Sequence, residues 1–163
     1  MNLTKTLSDD FSASSSTGFE GWLLKFGTRE FPMEYIAEEG YSSTPNQRQE
    51  SSAWQDTGGN LHRDTASHYR TKIEITTMDE LTIEAMQEIQ SVMNSSIIDK
   101  KERKAKITYW NDEEGKYKLA TIYVPDIQFK IKRVDREKKI IYYSSTRIAL
   151  IARIIPLYKP HAR

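Results

Sequence analysis

One stretch restricts this chain more than any other: residues 37–60 are 24 positions with almost no aliphatic side chain. They read Ala37-Glu-Glu-Gly-Tyr-Ser-Ser-Thr-Pro-Asn-Gln-Arg-Gln-Glu-Ser-Ser-Ala-Trp-Gln-Asp-Thr-Gly-Gly-Asn60. A structureless loop of that length is uncommon inside a compact domain, so it is either disordered or functional. Gly58-Gly59 is a turn signal, and Leu61 to Thr76 can then be written as one strand. Along it Tyr69, Thr71, Ile73 and Ile75 alternate onto one face. Residues 41–76 thus read as a long two-stranded arm that leaves the core, turns and returns. Its outer part is polar on both faces, which specifies register weakly. The expectation is an arm that becomes ordered by pairing with another chain.

The remaining patterns are local. Residues 1–18 are rich in Ser, Thr and Asp and cannot bury enough apolar area to offset their ordering entropy. They are expected to form a flexible N-terminal arm, and 19–163 one domain, as the length suggests. Trp22–Phe26 reads as a strand, Gly27–Glu30 as a turn, and Phe31–Ile36 as a second strand with Pro32 near its start. Thr82–Asn94 reads as a helix with Thr82 at its N-cap and Glu84 in the first turn. Met86, Ile89 and Met93, with Ile83 and Val92, make its apolar stripe, expected to pack on a sheet. Ile107–Trp110 and Tyr117–Val124 form a hairpin around residues 111–115. Ile127, Phe129 and Ile131 alternate as a half-buried strand, and Asp135–Lys138 turns into Ile140–Tyr143. Arg147–Ile155 is apolar on both faces apart from Arg153, which predicts a central strand. The fold class is mainly β (α+β): a β-sandwich or split barrel, one flanking helix and a long protruding hairpin.

Charge and motifs narrow the chemistry. With 24 basic against 23 acidic residues, the chain is no general polycation for nucleic acid. It contains no cysteine, so disulfides, thiolate metal sites and thiol nucleophiles are excluded. No apolar run reaches the roughly 18 residues of a membrane span, and Met1–Lys5 leads into no signal-like stretch, which predicts synthesis in a cytoplasm. His62, Asp64 and His68 share strand parity, but 62 and 68 lie about 20 Å apart along a strand, too far for one ion. Asp112, Glu113 and Glu114 occupy a turn of the kind such residues build. There is no nucleophile elbow, phosphate-binding loop, dinucleotide fingerprint or zincin motif. No enzyme activity, metal or cofactor is expected. A basic run, Lys100–Lys106, with Lys130, Lys132, Arg133 and the aromatics Tyr109, Trp110, Phe129, Tyr142 and Tyr143, leaves an alternative: an OB-like platform for single-stranded nucleic acid.

The arm suggests assembly instead. Arms that pair edge to edge and close around an axis remove every free edge. Gln47, Arg48, Gln49, Glu50, Gln55, Asp56, Arg63 and Asp64 would then line an aqueous lumen, and Tyr41, Asn46 and Trp54 complete the expected inter-subunit set.

The order of these elements resembles a known group. Tyr41 to Glu50, Asp56 to Arg63, Lys72-Ile-Glu-Ile, Leu81-Thr-Ile-Glu, Ile107 to Asn111, Tyr123-Val-Pro-Asp-Ile and Tyr142 to Ala149 together resemble small bacteriophage tail proteins of the tail-tube-like group. The resemblance spans about residues 30–155. It implies a structural virion protein in which the hairpin joins an inter-subunit barrel. It implies a ring, commonly hexameric, in the tail tube or in the baseplate and distal tail. The implied partners are sister copies, adjacent tail proteins, and a tape-measure protein or DNA passing through the lumen without specific binding; no membrane is involved.

Overall fold

A computed structural model describes residues 17–154, with side chains described outside 49–53, 63–69 and 153–154. The proposed arm 1–18 therefore lies almost wholly outside the described residues. The described residues form mainly β structure with one α-helix. In chain order come β1 (Leu24–Phe26), β2 (Arg29–Glu30), a 3-10 turn (Met33–Tyr35), β3 (Ile36–Gln55), β4 (Leu61–Thr77) and β5 (Leu81–Thr82). Then follow α1 (Ile83–Asn94), β6 (Ile97–Asp99), β7 (Lys104–Asn111), β8 (Lys116–Tyr123), β9 (Ile131–Asp135), β10 (Ile140–Tyr143) and β11 (Arg147–Ile154).

Eight strands make one antiparallel sheet in the order β2-β1-β7-β8-β11-β4-β3, with β6 also paired to β7. A smaller sheet runs β5-β10-β9. The alternation in the sequence sets which face is buried. Thr71, Ile73 and Ile75 of β4, Ile148, Leu150 and Ala152 of β11, Ile107 and Tyr109 of β7 and Leu24 and Phe26 of β1 all point inward. Met86, Ile89, Val92 and Met93 of α1 join them in a single core that also takes in Leu81 beside the small sheet. Three turns of helix would be marginal alone in water; here one face is covered. Thr82 precedes α1 with extended backbone, but its side chain makes no capping hydrogen bond.

Three expectations need correction. Phe31–Ile36 is not a strand: β2 ends at Glu30, and Pro32, at φ −68°, leads into the 3-10 turn. Proline supplies no N–H to a ladder, so the chain turns there and Phe31 plugs the core. The strand expected around Ile127–Ile131 begins only at Ile131, and Phe129 and Ile131 are exposed. The reason is position: β9 is an edge strand, and the side chains along it are mostly exposed. Arg147–Ile154 is indeed interior to its sheet, but Ile151 faces outward and is exposed.

β3 and β4 make the predicted excursion, longer than expected. Their register is interrupted at the root, where residues 37–40 bulge between the pairs Ile36–Thr77 and Tyr41–Ile75. A Cβ on Gly40 would lie 2.5 Å from the Thr76 carbonyl oxygen and 2.7 Å from that of Ala37. Backbone cannot yield as a flexible side chain can. We expect Gly40→Ala to cost about 1–3 kcal/mol, the usual range for overpacking, read as a lower urea midpoint; an unchanged midpoint would mean that the bulge gives way without cost. A second bulge follows at Pro45 and Asn46, on the sheet edge where a missing N–H is tolerated.

Candidate functional site

The hairpin divides into a root, a ribbon and a tip. At the root, the β7–β8 turn folds onto β3. Asn46 adopts φ +53°, a left-handed conformation that asparagine tolerates better than most residues. Its backbone N–H donates to Thr71 Oγ1 at 3.3 Å, and its side-chain oxygen accepts from Asn111 Nδ2 at 3.2 Å. Asn111 Oδ1 in turn accepts from the Glu114 N–H, and Thr71 meets the Tyr109 hydroxyl at 3.2 Å. Asn46, Thr71, Tyr109 and Asn111 are buried, and their mutual hydrogen bonds offset desolvation. Outside them, the Ser43 hydroxyl donates to Asp112 at 2.6 Å and Arg48 pairs with Glu113 at 2.9 Å. Tyr41 sits beside this network, and burial, with smaller effects from Asp112 and Tyr109, pushes its hydroxyl well above the ordinary tyrosine range.

Two members of the expected inter-subunit set point inward within their own subunit. Tyr41 packs against the core and Asn46 is an interior residue of its own subunit. The bulges turn them inward against an alternation that would leave them outside. Arg48 remains exposed but is tied to Glu113, and Gln47 is half-buried opposite Arg70. The turn carboxylates, read from sequence only as turn residues, bind the hairpin root through Asp112 and Glu113.

Beyond Arg48 and Tyr69 the ribbon continues through Glu50–Thr65 and Ser52–Asp64 to Gln55–Leu61. β11 accompanies β4 only over Tyr69–Thr76. Both edges of the outer ribbon therefore lack a strand partner among the described residues. The expected roles of the Gln49, Glu50, Arg63 and Asp64 side chains lie outside the described ones.

The tip is well ordered by local bonds. Asp56 accepts from the backbone N–H groups of Gly58 (2.9 Å) and Asn60 (2.8 Å) and from the side chains of Asn60 and His62. Gly59, at φ +82°, supplies the left-handed residue that closes the turn. Trp54 stacks on His62 across the strands, with centroids 4.2 Å apart. The His62 bond, then the Asn60 N–H, holds the Asp56 carboxyl below its ordinary value of 3.8. A depressed carboxylate stabilises the turn fully above the unfolded value and loses that contribution as pH falls through the lowered one. We expect the amide resonances of Gly58 and Asn60 to shift together with a midpoint below pH 3.8, a step that Asp56→Asn abolishes. A midpoint at or above that value would contradict the network.

The other sequence candidates are dispersed. His62 serves Asp56, and no group of metal-ligating side chains occurs among the described residues. In the basic run, Lys104 pairs with Glu102 and Arg103 reaches Asn94 and Asp126. Tyr109 is in the core, Trp110 packs edge-on against Tyr117, and Arg133 lies over Tyr142 on the smaller sheet. The candidate cations and aromatics are therefore divided between the core and two separate sheets, with Arg133 and Tyr142 together on the smaller one. Among the described residues, no helix is long and apolar enough to cross a membrane.

Compared with known protein families, residues 16–153 match DUF6711, a family of unknown function. The chain belongs to that family. No curated protein and no solved structure matches it.

The DUF6711 fold has one further surface. β8 and β11 pair only at Ile122–Ala152, so on the face opposite the helix the two strands part. A groove of about 710 Å³ opens there, walled by Thr121, Tyr123, Pro125, Ala149 and Ile151, with the cations Arg70 and Lys104. Tyr123 and Ile151 are exposed, as is nearby Leu119. The expectation of a strand apolar on both faces pointed toward this patch; its shape follows from the strand divergence.

Proposed function

We propose that this protein is a non-enzymatic, ring-forming structural subunit of a phage tail, in the baseplate and distal end or in the tube. In this reading the β-sandwich or split-barrel body carries the hairpin of β3 and β4 into a barrel shared by sister copies. The observation that supports it is the ribbon. Strands of 20 and 17 residues far exceed the usual 5–6, and among the described residues their outer halves have no strand partner on either side. An isolated two-stranded hairpin is marginal in water, and unpaired edges recruit other strands. Lateral pairing around an axis satisfies both edges at once. Gln47, Gln55 and Asp56 then supply a polar lining that lets a tape-measure protein or DNA pass without gripping it, consistent with a nearly balanced charge.

Size-exclusion chromatography with light scattering checks this. The expected mass is a multiple of the 18.9 kDa chain, six for a hexamer, growing with concentration. A chain that stays monomeric at several milligrams per millilitre refutes it. Salt-sensitive oligonucleotide binding by that monomer would favour the single-strand-binding alternative.

A further inference from the structure

We infer that residues 19–23 act as a clasp that fixes the direction of the β3–β4 hairpin through the turn between β7 and β8. The end of the β7–β8 pair is an overhang. Its pairing with β1 stops at Leu24–Tyr109, and its pairing with β11 is confined to Ile122–Ala152. Residues 110–117, which carry the turn that binds the hairpin root, run past both neighbouring strands. What meets them there is the segment before β1. The Leu23 carbonyl accepts from the Trp110 N–H at 2.9 Å. Trp22 stacks on Tyr117 with centroids 4.0 Å apart, and Phe19 stands edge-on to Trp110 at 5.3 Å. The Tyr117 hydroxyl donates to the Trp22 carbonyl at 2.8 Å and accepts from the Glu20 N–H at 3.0 Å. The Trp22 indole N–H donates in turn to the Glu20 carboxylate at 3.1 Å, so the clasp also holds its own shape.

The same overhang grips the hairpin through Asn111, Asp112 and Glu113. Bulges at residues 37–40 and at Pro45 and Asn46 interrupt the ladder between β3 and β4 just there. A bulge bends its strand and leaves residues unpaired, so pairing within the hairpin does not by itself fix the direction in which it leaves the body. The bonds to the overhang fix it, and the clasp fixes the overhang. Phe19, 41% exposed, is the accessible member of the chain of contacts: lifting it off Trp110 loosens the turn, and the root that ends on the turn loosens with it. Residues 19–23 are thus a control point for the hairpin.

Native-state amide exchange on the full chain tests this. The N–H groups of Asn46 and Glu114 report the root, since they donate to Thr71 Oγ1 and Asn111 Oδ1. Those of Ile75 and Ile107, buried and flanked by strands on both sides, report the core. Tyr117→Phe removes both hydroxyl bonds and keeps the ring, and Phe19→Ala removes one partly exposed aromatic. Each should speed exchange at Asn46 and Glu114 about fivefold or more, the effect of losing one hydrogen bond or aromatic pair, with less than about a twofold change at Ile75 and Ile107. Faster exchange at Glu114 without Asn46 means that the turn loosens without carrying the hairpin, and overturns the inference. Unchanged rates at both, or a response in one variant only, overturn it as well. So does an equal rise at Ile75 and Ile107, which makes the clasp a support of the whole fold and not of the hairpin. Failure here leaves the ring reading standing, and a chain that proves monomeric leaves the clasp standing.

Discussion

Replacing residues 49–68 by Asn-Gly, so that Arg48 runs through a two-residue turn into Tyr69, should yield a folded monomer that no longer associates. Among the residues of the cut whose side chains are described, none belongs to the hydrophobic core. It also spares the root, because Ser43, Asn46 and Arg48 keep Asp112, Asn111 and Glu113. Asn-Gly supplies the positive φ values that a two-residue hairpin turn requires. Shortening the loop slightly lowers its closure entropy, so the melting temperature should move by no more than a few degrees. Light scattering should return the mass of one chain at concentrations where the proposed rings of the full protein are expected. If the shortened chain fails to fold, the ribbon contributes to the subunit's own stability. If it still forms rings, assembly runs through another surface.

Ile89→Ala should do the reverse. Ile89 is fully buried at the centre of α1, among Met86, Val92 and Met93. Truncating a buried isoleucine costs about 2–5 kcal/mol through lost transfer energy and the cavity left behind. That is a large part of the roughly 5–15 kcal/mol that holds an ordinary domain together. The urea midpoint should fall accordingly. Gln87→Ala, on the exposed side of the same helix, should change it by less than about 0.5 kcal/mol. An Ile89→Ala loss as small as that of the surface control would mean that the helix is not what closes the core. The two results together would separate the stability of the body from the association proposed for the ribbon.

Much of the body was legible because short-range periodicity encodes it. Period-two alternation marked Thr71, Ile73 and Ile75, and the spacing of Met86, Ile89 and Met93 marked the buried side of α1. The polar stretch 37–60 with Gly58-Gly59 announced a hairpin, and the turn is where the glycines stand. The expected N-terminal arm lies outside the described residues. The strand expected at Phe31–Ile36 failed because Pro32 competed with an otherwise strand-like composition. Phe129 and Ile131 alternate like buried residues, yet burial also needs a covering layer, and alternation carries no information about that.

The sequence by itself determined the hairpin, its glycine turn, the helix and the inward face of the inner half of β4, since each follows from neighbours within a few residues. Only the tertiary structure decided that Asn46 meets Asn111 across 65 residues and that Asp112 and Glu113 hold the hairpin root. It also decided that β8 and β11 part to leave a groove. Such contacts depend on which distant segments the chain brings together. Left-handed bulges at Glu39 and Asn46 shift the side-chain alternation by whole residues, and a pattern of period two cannot foresee its own interruptions.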